Sequence, residues 1–381
     1  MSDAPSGASH DLVIVGASFA GLVAARTAAM RGLKVVVLEA KPSAGARVAT
    51  TGILVKEAAE EIDIPHEHTR RVHGVRLYSP GLASTDLFAP GYHFLTTRTG
   101  DLLDWLADEA RRAGAEIRFG QRFARAQRCG SLVRLADLGL TTRYLIGADG
   151  GRSRVAEIFG LGRNRTFLVG VEAEYEGLEG VDPRFLHCFI DSHLAPGYLA
   201  WVAPGPTVTQ VGLATNGSVR PDLAAFHRRT AHLFGHDRAR IVERRAGRIP
   251  AGGLVSPIGA PGVLLIGDAA GMVSPMTGGG IRLAFHYGRR AGQLVADHLQ
   301  DLGPPPERVL AGELPRFAVK RLMRWALDLR PPNAALDLLI GTAPMRALAR
   351  RVYFHRRGGG GLSLAEFERR IGELRPGDAE G

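Results

Sequence analysis

"DLVIVGASFAGLVAARTAAMRGLKVVVLEAK" occupies residues 11–41, and its reading decides the fold. Asp11 to Val15 is a short apolar run of the kind buried in a parallel sheet. The turn Gly16-Ala17-Ser18-Phe19-Ala20-Gly21 follows, then an apolar helical stretch near Leu22 to Arg31 that Gly32 ends. Leu33 to Leu38 returns as a second strand, with Glu39 and Ala40 at its end. This order predicts a dinucleotide site. Gly16 permits the tight turn, Gly21 permits close helix packing, and the helix N-terminus offers free amides to a pyrophosphate. Glu39 stands where an acid accepts hydrogen bonds from a ribose, which favours FAD or NAD over NADP. Ser18 replaces the usual middle glycine. Its side chain is small and its hydroxyl can itself donate to phosphate, so the site is expected to survive.

Two later segments repeat the theme of an acid at a strand end. "YLIGADGGRSRV", residues 144–155, ends a strand in Asp149-Gly150-Gly151. "GVLLIGDAAGMVSPMTGGGIRLAFHYGRRAG", residues 262–292, ends a strand in Gly267-Asp268, then carries Pro275, Thr277 and Gly278-Gly279-Gly280 before a helix that starts near Ile281. An acid in such a place can bind a polyol hydroxyl, and the helix entry can stabilise negative charge on a ring. "TTRTGDLLDWLADEARRAGAEIRFG", residues 96–120, sets Arg98 just before an amphipathic helix.

In this order the segments resemble the FAD-binding motifs of the flavoprotein superfamily of para-hydroxybenzoate hydroxylase-type monooxygenases, flavin-dependent halogenases and geranylgeranyl reductases. The resemblance implies that Glu39 binds the adenosine ribose and that Asp149 supports the pyrophosphate region. It implies that Asp268 binds the ribitol, that Gly278 to Gly280 and the next helix face the flavin pyrimidine, and that Arg98 lies against FAD.

Four features bear on the branch. Gly271 stands where aromatic hydroxylases commonly have histidine, and the glycine run with its isoleucine looks closest to geranylgeranyl reductases. "PGYLAWVAPGPTVTQVGLA", residues 196–214, resembles the aromatic-rich motif of those reductases at Tyr198, Trp201 and Pro204, but Ala203 replaces an aromatic. "AGRIPAGG", residues 246–253, resembles the reductase stretch before the last FAD strand. "ARVATTGILVKEA", residues 46–58, departs, with Thr50-Thr51-Gly52 where many reductases carry a cysteine and glycines. The halogenase motif Trp-x-Trp-x-x-Pro is half matched by Tyr198, Trp201 and Pro204, and Lys56 is a poor match for the lysine that halogenases need.

Composition narrows the classes. The 381 residues suit about two domains, and 45% hydrophobic content suits a sizeable core. The net charge of +10 is nearly all arginine, since the only lysines are Lys34, Lys41, Lys56 and Lys320. The arginines are spread among acids rather than gathered in a strip, which argues against nucleic acid. Cys129 and Cys188 form no paired motif, so cysteine zinc sites and redox dithiols are not expected. No apolar run reaches the length of a membrane span, and the first ten residues lack the pattern of a secretory signal. A cytoplasmic protein with a ragged N-terminus is expected, with peripheral membrane contact as an option for its apolar, arginine-rich end.

The fold class expected is α/β: a Rossmann-like FAD-binding domain of glutathione reductase type, an antiparallel β-sheet substrate domain and a helical C-terminal region. The FAD domain is expected at 10–75, 98–160 and 245–300, the substrate domain at 76–97 and 161–244, and the helical region at 301–371. Helices are expected over Asp222 to Phe234, Arg316 to Leu329 and Ala334 to Arg351. "GGGG" at Gly358 to Gly361 reads as a linker rather than a second nucleotide turn, and Gly372 onward as a tail. The function expected is FAD-dependent reduction of a carbon–carbon double bond in a small apolar, isoprenoid-like substrate, with electrons from NAD(P)H or a reduced electron carrier. Tyr198, Trp201, Pro275 and Thr277 are the substrate-pocket candidates. The alternatives are a flavin monooxygenase acting on an aromatic or polycyclic substrate, and a nonenzymatic subunit that holds FAD.

Overall fold

The structure, a computed structural model, describes residues 8–354. The linker read at Gly358–Gly361 and the tail from Gly372 lie outside the described residues. Five parallel strands form the centre of the first sheet, in the order Glu116–Phe119, Val35–Glu39, His10–Val15, Leu140–Gly147 and Val263–Leu265. Apart from the edge strand Glu116–Phe119, their residues are almost wholly buried: all of Val35–Glu39 and Val263–Leu265, all but Asp11 of His10–Val15, and all but Arg143 of Leu140–Gly147. That is why these strands read as continuous apolar runs, since a parallel sheet is covered on both faces.

Two helices cover one another beside this sheet. The Phe19–Met30 helix is apolar on nearly all sides, and Ile281–Leu299 packs along it. The seam is made of small residues. A Cβ on Gly288 would lie 2.7 Å from the Ala20 carbonyl oxygen, and one on Gly292 would lie 2.7 Å from that of Ala24. The backbones therefore approach more closely than larger side chains allow. Both helix N-termini lie beside the Gly267–Ala270 turn, which contacts both helices.

The second sheet has seven strands, ordered Arg240–Pro250, Phe167–Glu176, Thr209–Thr215, Ala200–Pro204, Phe185–Phe189, Gly74–Tyr78 and Ser84–Phe88. It is antiparallel with one exception: Phe185–Phe189 runs parallel to Gly74–Tyr78. Four of its strands, Phe167–Glu176, Phe185–Phe189, Ala200–Pro204 and Thr209–Thr215, fall in the stretch expected to form an antiparallel sheet. Arg240–Pro250 forms a further strand of this sheet despite its four arginines. It is an edge strand with an alternating exposed face, where charge discourages pairing with another sheet. The stretch expected as one helix from Ala334 to Arg351 is two, Asn333–Ile340 and Ala343–Tyr353, parted at Gly341-Thr342 ahead of Pro344. No helix among the described residues is long and apolar enough to cross a membrane.

Candidate functional site

The site is built on strand ends of the parallel sheet. Gly16 has φ +107°, and a Cβ there would lie 2.3 Å from the Ala148 carbonyl oxygen. Only glycine fits both constraints. Glu39 pins the same turn: its Oε2 accepts from the Ala17 amide at 2.8 Å and its Oε1 from the Lys41 amide at 2.9 Å. Each oxygen retains a lone pair that a ribose hydroxyl can use. Ser18 precedes the first helical turn, is exposed, and caps no amide with its side chain. The first-turn amides and the Ser18 hydroxyl are thus available to an anion. Phe19 and Ala20 have buried side chains, and Phe19 packs edge-on against Phe285 at 5.4 Å. What they offer a cofactor is backbone. Ala40 is exposed at the strand end.

Asp149 acts through a turn. Its carboxylate accepts from the Ser153 hydroxyl at 2.6 Å and from the amides of Arg154 and Val155 at 2.7 and 3.0 Å. It thereby shapes Gly150-Gly151 and starts the Arg154–Ile158 helix. Burial pushes its acid above the ordinary value, and the Ser153 bond opposes the shift. Asn164 then ties this turn to the next motif, donating to the Gly151 and Asp268 carbonyls at 3.1 and 2.8 Å. Its buried Oδ1 has no hydrogen-bond partner, which leaves one acceptor aimed between the two motifs. A cavity of about 410 Å³ lies beside this bridge, lined by Gly151, Arg152, Arg163, Asn164 and Ala269 among others.

Asp268, just after Val263–Leu265, has no hydrogen bond or ion pair to its carboxylate among the described residues. Water reaches the residue, yet the surrounding protein pushes its acid up to about 6 by desolvation. Both properties suit a group on the wall of a concavity. Gly280, at the start of Ile281–Leu299, places that helix over it: a Cβ on Gly280 would be 3.5 Å from Asp268 Oδ1. No side chain caps this helix, so its first-turn amides stay free beside Gly278, Gly279 and Ile281. Gly271 has φ +68°, and a Cβ there would lie 2.3 Å from the Gly253 carbonyl oxygen. The side chain that aromatic hydroxylases carry here is excluded by packing against "AGRIPAGG". Two sequence features of the reductase branch are therefore one contact.

Arg98 precedes the Thr99–Arg112 helix, and its side chain is half-exposed and paired with Asp101 at 2.7 Å. The substrate-pocket candidates meet in part. Tyr198 donates from its hydroxyl to the Thr277 carbonyl, which joins the substrate sheet to the glycine loop. Burial raises its phenol above the ordinary tyrosine value. Pro275, two residues before Thr277, is buried. Trp201 meets Tyr198 edge-on, with ring centroids 6.5 Å apart, while its indole lies across Gly212 and donates to Glu172 Oε2 at 2.9 Å. A second cavity, about 610 Å³, is lined by Glu172, Arg220, Asp222 and Arg245 among others, and neither cavity lining includes Tyr198 or Trp201.

Sequence reasoning missed Glu172 and Arg245. They face each other across the Phe167–Glu176 and Arg240–Pro250 pair, both almost fully buried, with nitrogen to oxygen at 3.6 Å. Thr51 also donates to Glu172, so the departure at Thr50-Thr51-Gly52 anchors that segment to the sheet. Burial raises the Glu172 acid against these hydrogen bonds. The alternation of acids in "VEAEYE" was visible, but it reads equally as a solvated strand face.

The arrangement fits a flavin dinucleotide: free amides at two helix starts, a ribose acid at Glu39 and an unpaired polyol acid at Asp268. No metal-holding cluster exists among the described residues. Comparison with known proteins agrees. Residues 9–305 match the FAD binding domain family. The chain is 32% identical over 328 residues to a digeranylgeranylglycerophospholipid reductase of Methanothrix thermoacetophila, covering 80% of this chain and 82% of that protein. In fold it is similar to a geranylgeranyl bacteriochlorophyll reductase-like protein of Thermoplasma acidophilum, with TM-score 0.78, 22% identity and coverage of 91% and 97% of the two chains. A flavin-dependent brominase shares the fold at TM-score 0.62 and 17% identity, covering 96% of this chain and 98% of that one. The chain belongs to the FAD binding domain family, in its geranylgeranyl reductase-like branch, and is an FAD-dependent oxidoreductase.

Proposed function

We propose that the chain reduces carbon–carbon double bonds of an isoprenoid-like apolar substrate, such as the lipid named for its relatives. The observation that carries this is the Tyr198 bond to Thr277, which closes an aromatic strand onto the flavin-facing glycine loop. Tyr198 and Leu199 are partly buried beside Trp201, and Pro275 is buried in the loop, so the neighbourhood is apolar. Such a wall suits hydrocarbon better than a charged ring. Reduced FAD supplies the hydride, with electrons drawn from NAD(P)H or a reduced carrier. Glu39, Asp149, Asp268 and the two helix starts bind and orient the cofactor. Gly271 keeps that part of the motif free of a side chain that would donate protons.

The outward face of the Ala318–Asp328 helix fits peripheral contact with an anionic membrane. Val319, Leu322 and Trp325 are exposed there, at 72, 64 and 60%. Their surroundings are rich in arginine, which complements lipid phosphate.

The test is anaerobic. The enzyme is reduced with dithionite and mixed with digeranylgeranylglycerophospholipid. Flavin reoxidation with a gain of two hydrogens per double bond supports the reading. Lack of reaction, together with an oxygenated product in air with NAD(P)H and an aromatic substrate, assigns the chain to the monooxygenases instead.

A further inference from the structure

The Ala318–Asp328 helix is built inside out. Its apolar residues Val319, Leu322 and Trp325 face outward, and Leu329 continues the stripe at 63% exposure. Its inward side carries cations. Arg324 has a side chain only 6% exposed, although Trp325 beside it is open and Met323 is only partly covered. Lys320 lies one turn earlier, half-buried over the Phe317 ring at 5.9 Å. Burial lowers both side-chain acids from their ordinary values, and Arg282 from the start of Ile281–Leu299 adds to the effect at Lys320.

Arg324 is also unsatisfied. Its Nε and both terminal nitrogens are buried and have no hydrogen-bond partner among the described residues. The acid beside it is Asp328, with oxygen 3.3 Å from one terminal nitrogen, and that oxygen already accepts from Asn216 at 3.1 Å. A buried guanidinium left with five donors and one shared acid is costly unless an anion joins it. The helix covers a meaningful place. Asp328 lies on Gly197, Arg321 lies on Gly253, and Arg324 is close enough to Tyr198 for their charges to interact. Tyr198 is the residue that reaches the glycine loop.

We propose that Arg324, assisted by Lys320, binds the phosphate of an amphiphilic substrate whose apolar chain passes Tyr198 toward the flavin. This rests on the apolar-substrate reading above and adds the polar end. The planar fork of arginine matches phosphate oxygens, and lysine adds a second positive charge. The outward apolar stripe would then lie in the lipid surface from which such a substrate comes.

The experiment is titration calorimetry on the FAD-loaded protein with monomeric dihexanoylphosphatidic acid, uncharged dihexanoylglycerol and inorganic phosphate. Wild type is expected to prefer the phosphatidic acid over both. Arg324→Gln should weaken that binding by about tenfold or more, as loss of a charge-assisted bond requires. Arg324→Lys should restore part of it, and Lys320→Gln should weaken it less. Dihexanoylglycerol should bind all four proteins alike. FAD content and melting temperature report folding, and Lys320→Gln decides the matter if Arg324→Gln does not fold. Equal binding of charged and uncharged lipid by wild type overturns the proposal, as does unchanged phosphatidic acid binding in the variants that fold. Displacement by equimolar inorganic phosphate overturns the lipid source and leaves a free-phosphate site. Binding involves no turnover, so absence of double-bond reduction would count against the reductase reading alone.

Discussion

At the scale of single residues, Asp268 and Ser18 carry opposite weights. The Asp268 carboxylate has no partner among the described residues, so the hydrogen bonds that it would make to a cofactor hydroxyl on the proposed reading are not duplicated elsewhere. Asp268→Ala is expected to lower FAD affinity by about tenfold or more, the worth of one charge-assisted bond. Ser18→Gly restores the common turn and should change affinity less than about threefold. Fluorescence titration of apoprotein with FAD reads both, and a silent Asp268→Ala beside a ruined Ser18→Gly would reverse the roles. The acid also predicts a pH dependence. In the cofactor-free fold it is pushed up to about 6, and the form that accepts hydroxyl donors is ionised. FAD binding should therefore weaken as pH falls through 6, by about tenfold at pH 5 relative to pH 7. The fold itself responds in the other sense. An acid raised in the folded state opposes folding once it ionises, so this contribution to apoprotein stability is lost as pH rises from 3.8 to about 6. Asp268→Asn should flatten both dependences.

At the scale of elements, the site depends on how closely two helices meet. A leucine at Gly288 or Gly292 would place its Cβ 2.7 Å from a backbone carbonyl oxygen that cannot move alone. Gly292→Leu is expected to destabilise by about 1–3 kcal/mol or more through overpacking. It should also release FAD, because the helix starts that flank Asp268 would part. Thermal melting and flavin content measured together check this, and full flavin content at wild-type melting temperature would contradict it. This scale also explains what was legible in the sequence. The glycine turn, the strand-end acids and the Ile281 helix start are local patterns, and each stands where the residues implied it. Glu172 and Arg324 were not legible because distant contacts bury them. Thr51 lies 121 positions from Glu172, and Tyr198 precedes the Ala200–Pro204 strand, far along the chain from the helix that carries Arg324. A charged residue in an amphipathic strand or helix looks solvated until the covering segment is known. The strand Arg240–Pro250 was hidden for a related reason, since its arginines mark an edge rather than a loop.

At the scale of the whole molecule, the uneven surface of the C-terminal helices sets the last prediction. From residue 316 to 354 the chain has eight basic residues against two acidic ones, and it exposes Leu338 at 79% as well as the Trp325 stripe. On the proposed membrane contact, positive charge would attract the protein to anionic lipid over a screening length of about 10 Å at 0.1 M salt. Apolar burial would then hold it, at roughly 1.5–3 kcal/mol for each large side chain fully inserted. The two terms separate experimentally. Cosedimentation with vesicles of mixed phosphatidylglycerol and phosphatidylcholine should fall as salt rises and vanish on pure phosphatidylcholine. The double change Leu322→Ser and Trp325→Ser should lower binding at fixed salt by about tenfold or more, because part of the insertion energy is lost. Neither side chain faces the cofactor motifs, so flavin content and melting temperature should stay near wild type. If the double variant cosediments as well as wild type, the outward stripe does not meet lipid and the inside-out helix needs a different partner for its apolar side.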